Sequence, residues 1–288
     1  MTSNHIKLTA AATMLIDHVG VILRNAEILE PASAVYLAMR MIGRLAFPLF
    51  CFLLSEGSCK TSNREKYLGR LCWFALLAQI PYSIMSNIGE GNTFTMDWIG
   101  ALLGVLCCAA IAYGLHASSS RTIAGAAWAL VFAQIHCSVG TVEILSEDLN
   151  VIYTLAIALL LIMSTDKLYQ DISTKANKAE CILLCLGVGG VVCSLLNNIM
   201  YGPVGILLPL ALYWAREWKY GRAAVLGVWA AVQYWDSPLY MLAALAAMVI
   251  VLVYNGQKGS GRLPKNFFYW FYPGHMTVLG IIRILISR

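Results

Sequence analysis

The sequence predicts an all-α fold, a polytopic transmembrane helical bundle of about ten or eleven spans. Of the 288 residues, 59% are hydrophobic and 12% are charged, whereas soluble domains carry about 25% charged residues. The mean hydropathy is +0.70, and apolar runs near the roughly 20 residues that cross a bilayer recur along the whole chain. Because no polar stretch is long enough for a soluble domain, residues 1–288 are expected to form a single integral-membrane domain.

The expected spans follow one another through short connections. They cover residues 6–24, 34–58, 67–86, 94–115, 121–137, 150–164, 179–197, 201–215, 222–234, 238–254 and 267–286. The segments 201–215 and 222–234 are short, which indicates tilted, broken or half-spanning helices and leaves a count of ten open. The first span lacks a small-residue cleavage site, so it is expected to be an uncleaved helix rather than a signal peptide.

Charge asymmetry between the connections predicts the orientation. With a cytoplasmic N-terminus, the inner connections hold most cations: Lys60, Arg64, Lys66, Arg70, Arg121, Lys167, Lys175, Lys178, Arg216, Lys219, Arg222, Lys258, Arg262 and Lys265. The outer connections hold mostly acids: Glu27, Glu30, Glu90, Glu143, Glu147, Asp148 and Asp236. This positive-inside pattern places the C-terminus outside if there are eleven spans. It also accounts for the net charge of +5 without a nucleic-acid partner.

Ionisable residues interrupt the first two spans, at Lys7, Asp17 and His18 in the first and at Arg40 and Arg44 in the second. Such residues are costly in a bilayer, so they mark a functional site or the ion pairs that support one. Lys7 and His18 lie on one helix face, about 16 Å apart along the axis. Arg40 and Arg44 share a face at the depth of Asp17, which predicts an Asp17–Arg44 ion pair.

His18 is the candidate catalytic base of this cluster. A neutral imidazole exchanges protons near neutral pH, and nothing in the packing pattern requires one here. Asp17 and Arg44 are expected to fix the geometry around it, whereas Arg40 and Lys7 fit a purely structural role equally well. Pro48, one turn after Arg44, is expected to kink the second span.

Patterns for other chemistries are lacking. The nine cysteines have no C-x-x-C spacing, so neither a metal site nor a disulfide framework is expected. No glycine-rich phosphate loop of the Walker or Rossmann form is present. The irregular stretch Tyr201-Gly-Pro203 is interpreted as a plain loop, with an acceptor pocket as the alternative.

Five blocks of the sequence together resemble the TraX family. They are KLTAAATMLIDHVG (7–20), MIGRLAFPLFCFLLSEG (41–57), KYLGRL (66–71), YNGQKG (254–259) and FYWFYPGH (268–275). These blocks bracket nearly the whole chain. The family is named for pilin acetylation, and it is similar to the transmembrane acyltransferases, including the acyltransferase-3 group. In that group an arginine, ten residues and a histidine mark the first helix; Lys7 and His18 match this spacing here, although an ammonium is not equivalent to a guanidinium.

The resemblance implies a transmembrane-acyltransferase-like protein of the bacterial cytoplasmic membrane. It implies transfer of an acetyl group from cytoplasmic acetyl-CoA to an amine or hydroxyl, on a pilin N-terminus or a surface glycan. It also raises His275 to a second candidate catalytic residue, with a packing histidine bonded to a helix carbonyl as the alternative.

Without a nucleotide loop, the CoA phosphates would have to be held by cations of the inner connections. Lys60, Arg64, Lys66 and Arg70 form the best cluster, and Lys7 lies on the expected path of the CoA arm towards His18. Two other functions use the same residues: a proton-coupled small-molecule transporter, and a non-catalytic assembly protein of a surface structure. The oligomeric state stays open.

Overall fold

The computed structural model describes residues 1–87, 150–172, 200–218, 220–259 and 266–286, and these ranges contain helices and no strands. The helices are α1 (Ser3–Asn25), α2 (Ala34–Gly43), α3 (Ala46–Lys60), α4 (Arg64–Asn87), α5 (Val151–Ile172), α6 (Gly202–Trp214), α7 (Gly221–Gln233), α8 (Pro238–Leu252) and α9 (Phe267–Ile286). A short 3₁₀ turn, Ala215–Glu217, extends α6. The predicted spans 94–115, 121–137 and 179–197 lie outside the described residues.

The all-α prediction is confirmed within these ranges, and the number of membrane crossings stays a prediction. Two described helical segments, Ser3–Asn25 and Ala34–Lys60, are long and apolar enough to cross a bilayer. Val151–Met163 and Pro238–Leu252 are shorter apolar helices. At 1.5 Å per residue, the 13 residues of α6 extend only about 20 Å, so this helix is too short for a perpendicular crossing.

Proline chemistry explains why the second predicted span is divided into α2 and α3. The break falls at Arg44 and Leu45, one turn before Pro48. Pro48 has no N–H to donate to the carbonyl of Arg44, and its ring crowds that carbonyl. The regular helix is therefore interrupted at the arginine itself, where the kink is expected.

Local chemistry also ends α1 and begins α2. Glu27 adopts a left-handed conformation with φ 57°, and the amides of Glu27 and Ile28 donate to the carbonyls of Arg24 and Leu23, respectively, both at 3.0 Å. These two bonds form a Schellman motif, which satisfies carbonyls that the last helical turn leaves without a partner. The chain then reverses, and the Ser33 hydroxyl caps α2 by accepting from the amide of Tyr36.

Contacts near both ends of each helix pair fix the helix directions. Four pairs run parallel: α1 with α9, α4 with α9, α5 with α6, and α3 with α8. The contacts that show this are, in the same order, Lys7–Phe268 and His18–His275, Arg70–Tyr269 and Met85–Arg283, Thr154–Met200 and Thr165–Trp214, and Arg44–Tyr240 and Glu56–Tyr254. Antiparallel pairs are α4 with α5 (Gln79–Asn150, Arg64–Asp166) and α3 with α7 (Phe47–Trp229, Glu56–Arg222). These directions agree with the up-and-down alternation expected of eleven consecutive spans.

Large apolar side chains occupy the surface as well as the core. The core includes Ile6, Leu49 and Leu159, all with no exposed surface. One outer face of α9 carries Val278, Ile281, Ile282 and Leu285, which are 37 to 64% exposed. A contiguous apolar stripe of this kind marks a surface that faces lipid or another protein.

Two glycines let α1 and α2 approach closely. A Cβ on Gly43 would lie 2.3 Å from carboxyl atoms of Asp17, and a Cβ on Gly20 would lie 3.1 Å from the Cβ of Met39. Small residues at a helix interface permit such approach between helices that share a bilayer. The position of the Asp17 carboxylate therefore depends on the missing side chain of Gly43.

Gly43→Ala is expected to destabilise the protein by about 1–3 kcal/mol, because the new methyl group overlaps Asp17 and forces α1 and α2 apart. Thermal unfolding of the detergent-solubilised protein measures the effect. The matched control is Gly227→Ala in α7, where the nearest atom to the new Cβ is the sulfur of Met248 at 3.7 Å. Equal melting temperatures for both variants and the wild type would refute the tight contact.

Candidate functional site

One carboxylate holds two guanidinium groups between α1 and α2. Oδ1 of Asp17 accepts from Nη1 of Arg40 at 2.8 Å and from Nη2 of Arg44 at 3.4 Å. The three side chains are 14, 22 and 11% exposed in the order Asp17, Arg40, Arg44. The predicted Asp17–Arg44 pair is confirmed, and Arg40 makes the shorter of the two contacts. The cluster has one negative and two positive charges.

Arg44 is further fixed by its own helix and by two aromatic rings. Its Nε donates to the carbonyl of Arg40 at 3.1 Å, one turn back along α2. Its guanidinium carbon lies 5.1 Å from the ring centre of Tyr240 and 6.0 Å from that of Tyr234. These distances lie within the range of cation–π attraction, so the arginine is held at the junction of α2, α7 and α8.

The two candidate catalytic histidines, far apart in the sequence, touch each other in the structure. Nδ1 of His18 lies 2.9 Å from Nε2 of His275. The two rings are nearly parallel, with 12° between their planes, and the ring of Phe271 stacks on His275 with its centre 4.7 Å away. The contact joins α1 to α9, and Arg40 and Arg44 are electrostatic neighbours of His18.

Hydrogen bonding determines which nitrogen of each neutral ring carries the proton. Nδ1 of His275 lies 2.7 Å from the carbonyl oxygen of Phe271, and a carbonyl can only accept, so this nitrogen is the donor. Nε2 of His275 is then the acceptor, and Nδ1 of His18 must donate to it. Nε2 of His18 is left with a lone pair, and among the described residues nothing hydrogen-bonds to it. That lone pair is the one a base needs.

Lys7 lies on the same side of α1 as His18, as the spacing predicts. Its ammonium group is 5.6 Å from the ring centre of Phe268, two turns before His275 on α9. Lys258 is a second cation in its surroundings, and no carboxylate of the described residues pairs with Lys7. The pairs Lys7–Phe268 and His18–His275 therefore define one continuous line of contact between α1 and α9.

The cations proposed to hold CoA phosphates all lie at the end of the helices where α1 begins, but they do not form one cluster. Lys60 contacts Glu56 at 2.8 Å, the hydroxyl of Tyr254 at 2.9 Å and the carbonyl of Gly256 at 2.8 Å. Glu56 also accepts from Arg222 and Tyr254. Glu56 thus joins α3 to α7 and to the residues that follow α8.

The three remaining cations have different surroundings. Arg64 donates to Asp166 at 2.7 Å and to the hydroxyl of Tyr213 at 3.2 Å, which links α4 to α5 and α6. Arg70 lies over the ring of Tyr269, 5.7 Å from its centre, and Lys66 is exposed. Lys66 and Arg70 thus remain accessible, whereas Lys60 and Arg64 already have carboxylate partners.

Sequence reasoning missed the aromatic surroundings of Arg44. Tyr234 and Tyr240 lie on either side of a short connection that includes Trp235, and aromatic residues near span ends are usually read as an interfacial belt. Trp235 fits that description, being 80% exposed, whereas Tyr234 is buried. The sequence holds one relevant signal. The connection between Tyr234 and Tyr240 is short and lies at the predicted outer end of its two helices, so both tyrosines are expected near the depth of Arg44.

Comparison with known proteins gives matches that cover most of the chain. The family model described as TraX protein matches two overlapping segments, residues 2–145 and 106–283. A protein of Dichelobacter nodosus described as the probable fimbrial assembly protein FimC of serogroup H1 is 28% identical over 287 residues, which cover 95% of this chain and 92% of that protein. No solved structure matches the chain.

Asp17→Asn is expected to lower the free energy of unfolding by about 2–3 kcal/mol. The variant leaves two guanidiniums without their anion; loss of one partner of a fully buried pair costs about 3–5 kcal/mol, and this site is partly exposed. Chemical or thermal unfolding in detergent measures the loss. Asp236→Asn, at an exposed carboxylate near the same end of the helices, is the control, and equal stability of the two variants would refute the role of the cluster.

Proposed function

This chain belongs to the TraX family, and from that premise we propose that it is a membrane-embedded acetyltransferase that acts in pilin modification or fimbrial assembly. The supporting observation is the contact between His18 and His275, which leaves Nε2 of His18 as a base. The donor is acetyl-CoA, and the acceptor is an amine or hydroxyl on a pilin N-terminus or a surface glycan. A relation to the acyltransferase-3 group belongs to the same proposal.

The helix directions support entry of acetyl-CoA at the end of the protein where α1 begins. In the proposed topology, the start of α1 faces the cytoplasm of a bacterial cell and its end faces outward. The parallel course of α1 and α9 is then the relation required when an odd number of spans leaves the C-terminus outside. Lys7, Lys60, Arg64, Lys66 and Arg70 all lie at the cytoplasmic end, where CoA phosphates need cations. Acetyl-CoA therefore enters at this end, and its thiol arm follows the line from Lys7 to His18.

The proposed reaction needs one proton acceptor near the thioester. The acceptor nitrogen or oxygen attacks the carbonyl carbon of acetyl-CoA, and Nε2 of His18 takes the proton that this atom loses. The carbon–sulfur bond then breaks, and the CoA thiolate receives that proton from His18. Transfer through an acetyl-histidine is a variant of the same chemistry. Asp17, Arg40 and Arg44 hold α1 and α2 so that the ring keeps its position.

His275 acts through His18 in this mechanism. Its proton on Nδ1 is fixed by the carbonyl of Phe271, so Nε2 accepts from His18 and selects the tautomer that can act as a base. As His18 becomes an imidazolium, the same contact stabilises the charge on its Nδ1–H. His275 is therefore a positioning residue.

A non-catalytic role in fimbrial assembly is the second candidate, because the Dichelobacter nodosus relative is described as an assembly protein. In that case the two histidines serve only to join α1 and α9. The first experiment below distinguishes the two candidates.

His18→Ala is expected to reduce release of CoA from acetyl-CoA by the purified protein by roughly 10²- to 10⁴-fold, the usual contribution of a general base. Chromatographic measurement of free CoA follows the reaction in detergent. His5→Ala, at an exposed histidine of the same helix, should keep wild-type turnover. Full turnover in folded His18→Ala would refute the assignment, and no turnover or acetyl-CoA binding by the wild type would favour the assembly role.

His275→Gln is expected to retain more turnover than His275→Leu, because the amide oxygen of glutamine can still accept from Nδ1 of His18. We expect a loss of roughly 10-fold for glutamine and roughly 10²-fold or more for leucine. Comparison of kcat, with melting temperatures to separate structural effects, provides the check. If both variants lose turnover in proportion to their stability, His275 has only a structural role.

A further inference from the structure

The cluster of Asp17, Arg40 and Arg44 has an unbalanced charge. Two guanidiniums share one oxygen of one carboxylate, and no other carboxylate of the described residues pairs with either arginine. A net positive charge that is largely withdrawn from water is costly unless an anion compensates it. Arg40 keeps the largest exposed fraction of the three side chains, 22%, so it is the group that a ligand reaches first.

The indole of Trp229, which is separated from Arg44 by the ring of Tyr234, offers a further donor. Trp229 is 4% exposed, and among the described residues its indole N–H has no hydrogen-bond partner. Its ring contacts Tyr234 with centres 5.8 Å apart, and Tyr234 in turn contacts Arg44. Buried N–H groups are normally satisfied, so an unpaired one needs an explanation. A bound anion that reaches Trp229 would provide the missing acceptor.

A strained backbone completes the same cluster. Tyr201 is not glycine, yet it has φ 66° and ψ 5°, a left-handed conformation that persists only where surrounding structure enforces it and that concentrates at binding sites. Its ring stacks on Phe47 with centres 3.8 Å apart, and the tyrosine is an electrostatic neighbour of Arg44. The stretch interpreted from sequence as a plain loop therefore contributes a wall beside the arginine.

We propose that Arg40 and Arg44, with the neighbouring Tyr201, Trp229 and Tyr234, bind a carboxylate or phosphate group of the acceptor molecule. A guanidinium pair and an indole N–H supply donors, which select an oxyanion over a neutral or cationic group. The site lies at the end of α1 opposite to Lys7, near His18, so the anion anchors the acceptor beside the base. This inference rests on the proposed acetyltransferase function only where it identifies the ligand as the acceptor. The binding of an anion by these residues does not depend on that function.

The test is binding of two simple probes, inorganic phosphate and acetate, by the full chain in a non-ionic detergent. Each probe replaces chloride at constant ionic strength, and the rise in melting temperature gives an apparent Kd. The wild type is expected to show saturable stabilisation, and the ratio of the two Kd values tells a phosphate acceptor from a carboxylate acceptor. Stabilisation that does not saturate with either probe would overturn the proposal.

Variants separate a binding site from a structural ion pair. Arg40→Gln is expected to raise the apparent Kd roughly 10-fold or more, and Trp229→Phe, which keeps the ring and removes the N–H, by roughly 3- to 10-fold. Arg24→Gln, at an exposed arginine near the same end of α1, should leave the Kd unchanged. Equal Kd values for Arg40→Gln and the wild type would overturn the proposal.

Asp17→Asn is expected to change the apparent Kd of the anion in the opposite direction to Arg40→Gln. Removing the internal carboxylate leaves both guanidiniums available, so the apparent Kd of the anion is expected to fall roughly 3- to 10-fold and the anion to restore part of the lost stability. A purely structural ion pair predicts no gain in affinity, and that result would count against the site. Should this variant not fold, Arg40→Gln and Trp229→Phe still decide the question.

The same measurement separates this inference from the proposed function. Anion binding is expected to persist in His18→Ala, because the imidazole is not among the binding groups. Anion binding by a wild type that never turns over acetyl-CoA would keep the site and refute the enzyme. Turnover without anion binding would keep the enzyme and refute the site.

Discussion

The shared carboxylate of Asp17 is the contact on which the described site depends. It places opposite charge between two arginines that the second span would otherwise carry alone into an apolar environment. Gly43 makes room for it, and Pro48 ends the regular helix at Arg44 so that the guanidinium can turn towards α1 and α8. Since His18 follows Asp17 directly in the chain, fixing the carboxylate also fixes the ring beside it.

Charged side chains also join neighbouring helices at the other end of the protein. Glu56 binds Arg222, Lys60 and Tyr254, which ties α3 to α7 and to the end of α8. Arg64 with Asp166 ties α4 to α5. Apolar packing alone gives helices in lipid little preference for one register, because lipid tails are as apolar as leucine. Charged contacts at two levels therefore set the register, and the apolar residues between them fill the space.

The parallel packing of the first and last helices unites the site. Lys7 meets Phe268 and His18 meets His275 along one line, so the two helices stay in contact from the end that carries Lys7 to the two histidines. His275 owes its tautomer to its own helix, through the carbonyl of Phe271. The tautomer of His18 is therefore set by a hydrogen bond within α9. A single substitution at either histidine therefore affects both helices.

Sequence alone determined which of the described segments are helical and which residues are exceptional. The described helices follow the predicted spans to within about three residues at most ends, because apolar runs and proline or capping residues are local signals. Lys7, Asp17, His18, Arg40 and Arg44 are visible in sequence because charges are rare in apolar runs, and the spacing that predicts the Asp17–Arg44 pair is helical geometry. Only the tertiary structure decided that His18 touches His275, that Arg40 binds Asp17 more closely than Arg44 does, and that Glu56 pairs with Arg222. These contacts join residues up to 257 positions apart, and the period of one helix carries no information about which distant helix packs against it.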